Sequence, residues 1–218
     1  MNLIKTTVLS AMLATAAAGS ANAAFVYDFG GTVAADGSGL TTSVAGATVY
    51  DFNDGTPAQY SGQGSVLSGS LGGKYATPAG DSTPYLSVAY PLQVGLETFT
   101  ADPGASYNYF GLYWGSIDDY NSLSFYSGNT LVASVTGTDV IAAGARLGDQ
   151  MAPGANRYVN FTFTDASFDR VVFNTTQYAF ESDNHAFASV PEPASLGLFG
   201  LGLLGAAAAR RRKGKATN

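Results

Sequence analysis

The sequence has 218 residues, with 16 acidic side chains, 10 basic ones and no cysteine. This length suits one domain with short appendages, and the lack of cysteine excludes disulfides, thiolate metal sites and thiol nucleophiles. Most basic residues lie near the two ends, so residues 24–193 carry four basic against sixteen acidic side chains, a net charge of −12. Because nucleic-acid binding depends on Lys and Arg that neutralise phosphates, we expect no nucleic-acid partner.

The first 23 residues have the three-part layout of a secretory signal peptide. Lys5 supplies a short positive region, residues 7–18 form an apolar run, and Ala21 and Ala23 frame a small-x-small cleavage site. The apolar run is too short for a membrane anchor. The sequence therefore predicts export by the Sec machinery, cleavage by signal peptidase and a mature chain that begins at Ala24.

Residues 24–189 predict an all-β extracellular domain. Apolar and polar side chains alternate along residues 131–136 and 158–164, a period of two that is typical of half-buried strands. Further β-rich runs separated by turn residues predict strands at 25–29, 47–52, 65–70, 85–90, 107–114, 122–127, 168–174 and 178–187. Residues 101–106 and 142–156 are predicted to be longer loops. About eight to ten short strands at this spacing indicate an antiparallel β-sandwich or jelly roll.

A short motif, an uncharged apolar run and a basic cluster follow one another at the end of the chain. The motif consists of Pro191, Glu192 and Pro193, and the apolar run covers residues 194–209. The basic cluster is Arg210, Arg211, Arg212 and Lys213. As a helix the run would span about 24 Å, and long arginine side chains that reach the interface can close the gap to a ~30 Å membrane core. The sequence thus predicts a transmembrane helix whose basic end stays in the cytoplasm and whose preceding domain lies outside.

This three-part tail, residues 190–215, resembles the PEP-CTERM sorting signal of exosortase-dependent bacterial surface proteins. An ordinary C-terminal anchor is the alternative. The resemblance implies that exosortase, a membrane-embedded transpeptidase-like enzyme, cuts near the motif. The chain would pass from an inner-membrane intermediate to the cell surface or extracellular matrix of a Gram-negative bacterium. The resemblance also implies an association with exopolysaccharide in biofilms or flocs.

Two groups of segments in the middle domain carry a second resemblance. Residues 109–121, 123–126 and 131–134 resemble a recurrent core in one subgroup of exosortase-dependent surface proteins. Residues 168–173 and 180–184 are similar to the closing strands of that subgroup and to the ends of galactose-binding-like jelly rolls. This resemblance implies a fold rather than an activity.

Tyrosines of the predicted strand 107–114 form a candidate carbohydrate site. Alternation puts Tyr107, Tyr109 and Tyr113 on one face, with Gly111 leaving a gap between them. Tyrosines beside a gap can stack on sugar rings and offer hydroxyls for hydrogen bonding. The alternative is that these side chains pack against neighbouring strands.

Acidic pairs near predicted turns and strand ends are candidate calcium ligands, because calcium binds about six to eight oxygen atoms. The pairs are Asp118 with Asp119, Asp165 with Asp169, and Glu181 with Asp183. The alternative is that these side chains are solvated and make turns. A structural calcium ion is therefore the one cofactor that the sequence leaves open.

The sequence offers little for catalysis. His185 is the single histidine, which excludes a multi-histidine metal centre, and we expect it on the surface at a strand end. No Gly-x-Ser-x-Gly nucleophile motif occurs. We therefore expect no catalytic residue and a noncatalytic surface or matrix protein. Two alternatives stay open: a lectin-like carbohydrate-binding module, favoured by exposed tyrosines, and a secreted polysaccharide hydrolase, favoured by two carboxylates across a cleft.

Overall fold

A computed structural model describes residues 25–190, which form an almost entirely β structure. The predicted signal peptide and the predicted sorting tail from Pro191 onward lie outside the described residues. The elements in chain order are β1 (Phe25–Phe29), β2 (Thr32–Val33), β3 (Leu40–Thr41), β4 (Thr48–Tyr50), β5 (Tyr60–Gly62), β6 (Gly64–Leu67), β7 (Tyr85–Val88), β8 (Gly95–Thr100), β9 (Tyr109–Trp114), β10 (Asn121–Ser127), β11 (Thr130–Thr136), α1 (Gly137–Val140), β12 (Arg157–Phe163), β13 (Arg170–Thr175) and β14 (Phe180–Ala188). Among these residues, no helix has the length and apolar character needed to cross a membrane.

Two antiparallel sheets make up most of the fold. The front sheet has seven strands in the order β1-β12-β9-β14-β7-β6, with β4 paired to the later part of β14. The back sheet has five strands in the order β11-β10-β13-β8-β5. A short hairpin of β2 and β3 lies apart from both sheets in the pairing. Most neighbours are distant in sequence, so the fold depends on long-range pairing.

The apolar core lies between the two sheets and is rich in aromatic rings. Phe110 of the front sheet lies with its ring centroid 5.8 Å from that of Phe125 and 5.9 Å from that of Phe173, both on the back sheet. Phe99 of β8 stacks on Phe187 of β14 at 3.8 Å. Such ring pairs contribute about 0.5–1.5 kcal/mol beyond the burial of their area. The inward side chains of both sheets thus form one shared core, and the prediction of an antiparallel β-sandwich is confirmed.

A second layer covers the outer face of the front sheet. It is made of the chain around β2 and β3 and of the loop that precedes β7, joined by an isolated bridge between Ser38 and Asp81. The amide of Asn184 on β14 donates to the carbonyl oxygens of Ser38 and Leu40, at 2.7 and 3.0 Å. Polar contacts therefore hold this outer layer together with a small apolar cluster of Val44 and Ala47 against Tyr109, whereas the large aromatic core holds the two sheets together.

The prediction that His185 lies on the surface is wrong. Its side chain is fully buried, and the ring stacks on Phe173 of the back sheet with centroids 4.8 Å apart. The pairing of β14 with β9 shifts register between Asp183 and Ala186, and Asn184 between them has a positive φ of 50°. This bulge interrupts the alternation, so His185 points into the core beside Phe187 rather than outward.

Candidate functional site

The three tyrosines of the predicted sugar platform do not share an exposed face. Tyr107 precedes β9 and packs into the apolar core, with its ring 5.3 Å from that of Phe187. Tyr109 and Tyr113 point the other way and are each only 2 % exposed beneath the outer layer. The structure therefore separates Tyr107 from the other two and leaves no tyrosine surface for stacking here.

Hydrogen bonds occupy both buried hydroxyls. The Tyr109 hydroxyl lies 2.7 Å from the Asn160 Oδ1 atom and 2.7 Å from the Thr42 Oγ1 atom. The Tyr113 hydroxyl donates to the carbonyl oxygen of Ala79. The gap expected at Gly111 is filled, because a Cβ atom there would lie 2.7 Å from the hydroxyl of Tyr158. These tyrosines pack and hydrogen-bond across strands, as the alternative interpretation had it.

The predicted calcium ligands on Asp118, Asp119, Asp165 and Asp169 are not brought together into one cluster. Asp119 and Asp165 are exposed, and Asp169 accepts the backbone N–H of Gly128 at 3.0 Å, as a turn residue does. Asp118 is partly buried, and its Oδ2 atom accepts the Tyr120 hydroxyl. Within residues 25–190, no group of three or more His, Asp or Glu side chains has a metal-binding arrangement.

A polar cleft of about 230 Å³ opens where β9 and β14 meet the loops at one end of the sandwich. Glu181, Asp118 and Tyr120 line it, together with the loop at Gly73–Ala76. Asn156 fixes two of the contributing segments, because its Oδ1 atom accepts the N–H groups of both Ser116 and Ala79. The cleft is thus assembled from segments that are far apart in sequence.

Glu181 is the buried acid of the cleft, with 2 % of its surface exposed. Its Oε1 atom accepts the N–H of Ala76 at 2.9 Å, and its Oε2 atom accepts the Ser116 hydroxyl at 3.2 Å. Burial raises the pKa of Glu181 to about 7, although both hydrogen bonds favour the charged form. Burial also raises the pKa of Asp118. Both oxygens of Glu181 are engaged in holding the loop and β9 in place.

Aromatic and basic groups line the mouth of the cleft. Tyr178 and Tyr75 are both partly exposed, and the Nζ atom of Lys74 lies 4.0 Å above the Tyr178 ring. The Tyr120 hydroxyl reaches the carbonyl oxygen of Tyr178 at 2.8 Å. Rings, hydroxyls, carboxylates and an ammonium group therefore surround one small opening, which is the combination that sugar hydroxyls and rings can use. Sequence reasoning missed this cleft because its residues share no motif.

His185 is held by packing and by two hydrogen bonds in the core. Its Nδ1 atom lies 2.8 Å from the Tyr60 hydroxyl and its Nε2 atom 2.8 Å from the Ser182 hydroxyl. Burial lowers the pKa of His185 to about 3, so the ring is neutral at physiological pH. Neither His185 nor Ser182 has any exposed surface. Ser182 and His185 are hydrogen-bonded as a nucleophile and its base would be, but their burial keeps them from a substrate.

The last two described residues, Ser189 and Val190, are hydrogen-bonded to the sandwich directly before the predicted sorting tail. The Asn108 side chain accepts the N–H of Val190 at 2.6 Å and donates to its carbonyl oxygen at 2.7 Å. Ser189 donates its hydroxyl to the carbonyl oxygen of Ser106 at 2.8 Å. The residue before Pro191 is therefore fastened to the folded domain.

Comparison with protein families identifies the tail. A family model of the PEP-CTERM protein-sorting motif matches residues 189–213. The resemblance seen in the sequence is thereby confirmed, and the motif marks an exported protein that undergoes exosortase-dependent sorting to the surface. No curated protein matches the chain.

Proposed function

We propose that this chain, which carries a PEP-CTERM sorting motif, is a noncatalytic protein of the cell surface or extracellular matrix. Signal peptidase removes residues 1–23, exosortase acts near Pro191–Pro193, and the β-sandwich is the part that remains. The match of the motif over residues 189–213 carries the sorting part of this proposal. The position of Val190 supports it, since the folded domain reaches to the start of the motif and cleavage at the motif would leave the sandwich whole.

Mass spectrometry of the protein isolated from the surface of its native host tests both cleavages at once. We expect an N-terminus at Ala24 and a C-terminus close to Pro191–Pro193. Surface material that still ends at Asn218 would contradict processing by exosortase. A second test uses Glu192→Gln, which keeps the length and the prolines of the motif but removes its charge. This variant should accumulate as unprocessed chain in the membrane fraction.

The chemistry of the described residues supports the absence of catalysis. The single histidine is neutral and enclosed, and Glu181 uses both carboxylate oxygens to hold Ala76 and Ser116. A general acid or base needs an oxygen or nitrogen atom free to reach the substrate. These groups have a structural role that explains their burial without any reaction.

We further propose that the mature sandwich holds exopolysaccharide through the cleft at Lys74, Tyr75 and Tyr178. Partly exposed rings beside hydroxyl and carboxylate groups are suited to a sugar, and a binding domain that is delivered to the surface would serve as a matrix linker. A net charge of −12 over residues 24–193 argues against binding by charge attraction to an anionic polymer, so the ligand is a neutral or weakly charged polysaccharide.

Retention of the purified protein on insoluble exopolysaccharide from the native host tests this role. Lys74→Ala should reduce retention several-fold, because it removes the cation that holds the Tyr178 ring at the mouth of the cleft. Arg170→Ala is the matched control, since Arg170 also lies over a tyrosine ring, that of Tyr126, at 4.1 Å and away from the cleft. Equal retention of both variants and the unmodified protein would remove the cleft as the binding site.

Hydrolysis of a polysaccharide is the second candidate, because Asp118 and Glu181 line the same cleft. Glycosidases use two carboxyl groups that flank the scissile bond. The assay is the release of reducing ends from the same polysaccharide, compared between the unmodified protein and Glu181→Gln. We expect no release from either; release that Glu181→Gln abolishes would establish the hydrolase instead.

A further inference from the structure

Two carboxyl groups, that of the buried Asp183 and that of the partly buried Asp81, face each other between the outer layer and the front sheet. Asp183 lies on β14 and is fully buried, and Asp81 lies in the loop before β7, within hydrogen-bonding reach of Asp183. The Oδ1 atom of Asp81 accepts the N–H and the hydroxyl of Thr83, both at 2.8 Å. The Oδ1 atom of Asp183 accepts the N–H of Asn184 at 2.7 Å.

The second oxygen atom of each carboxyl group has no donor. The Oδ2 atoms of Asp81 and of Asp183 are both buried without a hydrogen-bond partner. A buried polar atom without a partner costs roughly 1–3 kcal/mol, and more when it is charged. Two such atoms that face each other are therefore stabilised by a shared proton or by a cation between them.

The surroundings increase the negative potential of this pair. Asp36 acts on Asp81, and Asp51 acts on Asp183, each as a like charge. Three of the four basic side chains in the described residues lie over aromatic rings elsewhere: Lys74, Arg157 and Arg170. Burial, followed by the charge of Asp81, raises the pKa of Asp183 to about 10, so without a cation the pair holds a proton at neutral pH. None of these three basic side chains therefore neutralises the pair.

We propose that a calcium ion binds between Asp81 and Asp183 and joins the outer layer to β14. Carboxylate oxygens are the ligands that calcium prefers, and water and loop oxygens complete a shell of about six to eight. A single shared proton would neutralise one charge and leave the field of Asp36 and Asp51 in place. Asp36 is exposed and Asp51 partly exposed, so both add negative potential at the solvent side of the pair. The site differs from the predicted pair of Asp183 with Glu181, whose oxygens are taken by Ala76 and Ser116.

Two side-chain carboxylates give a site of modest affinity. Since no third acidic side chain joins the pair in a metal-binding arrangement within residues 25–190, we expect a Kd on the order of 10⁻⁴–10⁻³ M, the range of extracellular calcium modules. Exosortase-dependent sorting delivers the chain to the surface, where such concentrations of calcium occur outside cells. The ion would therefore load after export and tighten the outer layer only there.

Thermal unfolding of the mature protein, first in chelator and then with calcium chloride, tests the proposal. At about tenfold excess over the Kd we expect the Tm to rise by about 3–6 °C. Asp183→Asn and Asp81→Asn should each fold, because an amide can donate to the remaining carboxylate, and should lose this rise. Asp165→Asn, which removes an exposed acid elsewhere, should keep it in full.

Terbium luminescence and calorimetric titration of calcium measure binding directly, so the test does not depend on the stability of the variants. We expect one site in the unmodified protein and none in Asp183→Asn. No rise in Tm with calcium and no heat of binding would overturn the proposal in favour of a shared proton, as would an unchanged calcium response in Asp183→Asn. Magnesium at the same concentration should give a smaller rise, because it demands a regular octahedral shell.

Discussion

Tyr109→Phe removes one hydroxyl group and measures what the hydrogen bonds of the outer layer contribute. The hydroxyl has one proton, which it donates to the Asn160 Oδ1 atom at 2.7 Å, so the Thr42 hydroxyl must donate to it, also at 2.7 Å. Each hydrogen bond contributes about 1 kcal/mol net. The ring remains and the packing of Tyr109 is kept, so we expect the free energy of unfolding to fall by about 2 kcal/mol.

Urea unfolding followed by tryptophan fluorescence is the assay. Trp114 is the single tryptophan, is fully buried and stacks on Phe180 with ring centroids 4.5 Å apart, so its emission reports the opening of the front sheet. The loss should appear as a lower midpoint at an unchanged m-value. In a thermal scan it corresponds to a Tm about 4–8 °C lower.

Tyr27→Phe is the matched control for this variant. Tyr27 is 40 % exposed on β1, and its ring contacts with Phe29 and Phe161 do not involve the hydroxyl. Its stability should change by less than about 0.5 kcal/mol. If Tyr109→Phe left the midpoint unchanged and instead weakened retention on exopolysaccharide, the tyrosine would face a ligand rather than the outer layer, and the reasoning would fail.

Two further variants test the core and the pH dependence. Phe110→Ala should cost about 3–5 kcal/mol in urea unfolding, because the ring is fully buried among rings of both sheets, whereas Leu131→Ala, at a side chain 48 % exposed, should change little; equal losses would contradict the assigned core. Burial raises the pKa of Glu97 in the folded protein above its unfolded pKa of 4.5. Protonated Glu97 therefore contributes its full stability below the unfolded pKa, and this contribution is lost as the pH rises through the folded pKa. Glu97→Gln should therefore gain stability relative to the unmodified protein between pH 5 and pH 8, and parallel pH curves for the two proteins would show that Glu97 is not the cause.

Strand pattern predicts the inward face of the sandwich well and the outer face poorly. The alternation that puts Tyr109 and Tyr113 on one face of the strand puts Phe110, Leu112 and Trp114 on the other, and these three lie in the core, because successive side chains of a strand point to opposite faces. What covers Tyr109 depends on Thr42, which is 67 positions away. A local sequence pattern does not show which distant segment covers a strand. The same alternation is therefore compatible with an exposed tyrosine platform and with a buried tyrosine layer.

Departures from alternation account for the elements and site residues that the sequence did not reveal. In β8, Leu96 is 45 % exposed whereas Glu97 is buried and accepts the N–H of Gly64 at 2.6 Å, the reverse of the usual pattern. In β14, the bulge at Asn184 exists because of pairing with β9, and it turns His185 from the surface into the core. Both features are set by partners across the sheet, and neither leaves a local signal.

The two layers of this domain respond to different conditions because different forces hold them. Apolar rings join the two sheets, and their packing is insensitive to ions. The outer layer rests on Asn184, on buried hydroxyls and on the loop that bears Asp81, all of which are polar. With the proposed calcium site, a change in divalent ions acts first on the outer layer, which bears Asp81. Because that layer also carries the loop at Gly73–Ala76, ionic conditions at the cell surface bear directly on the cleft.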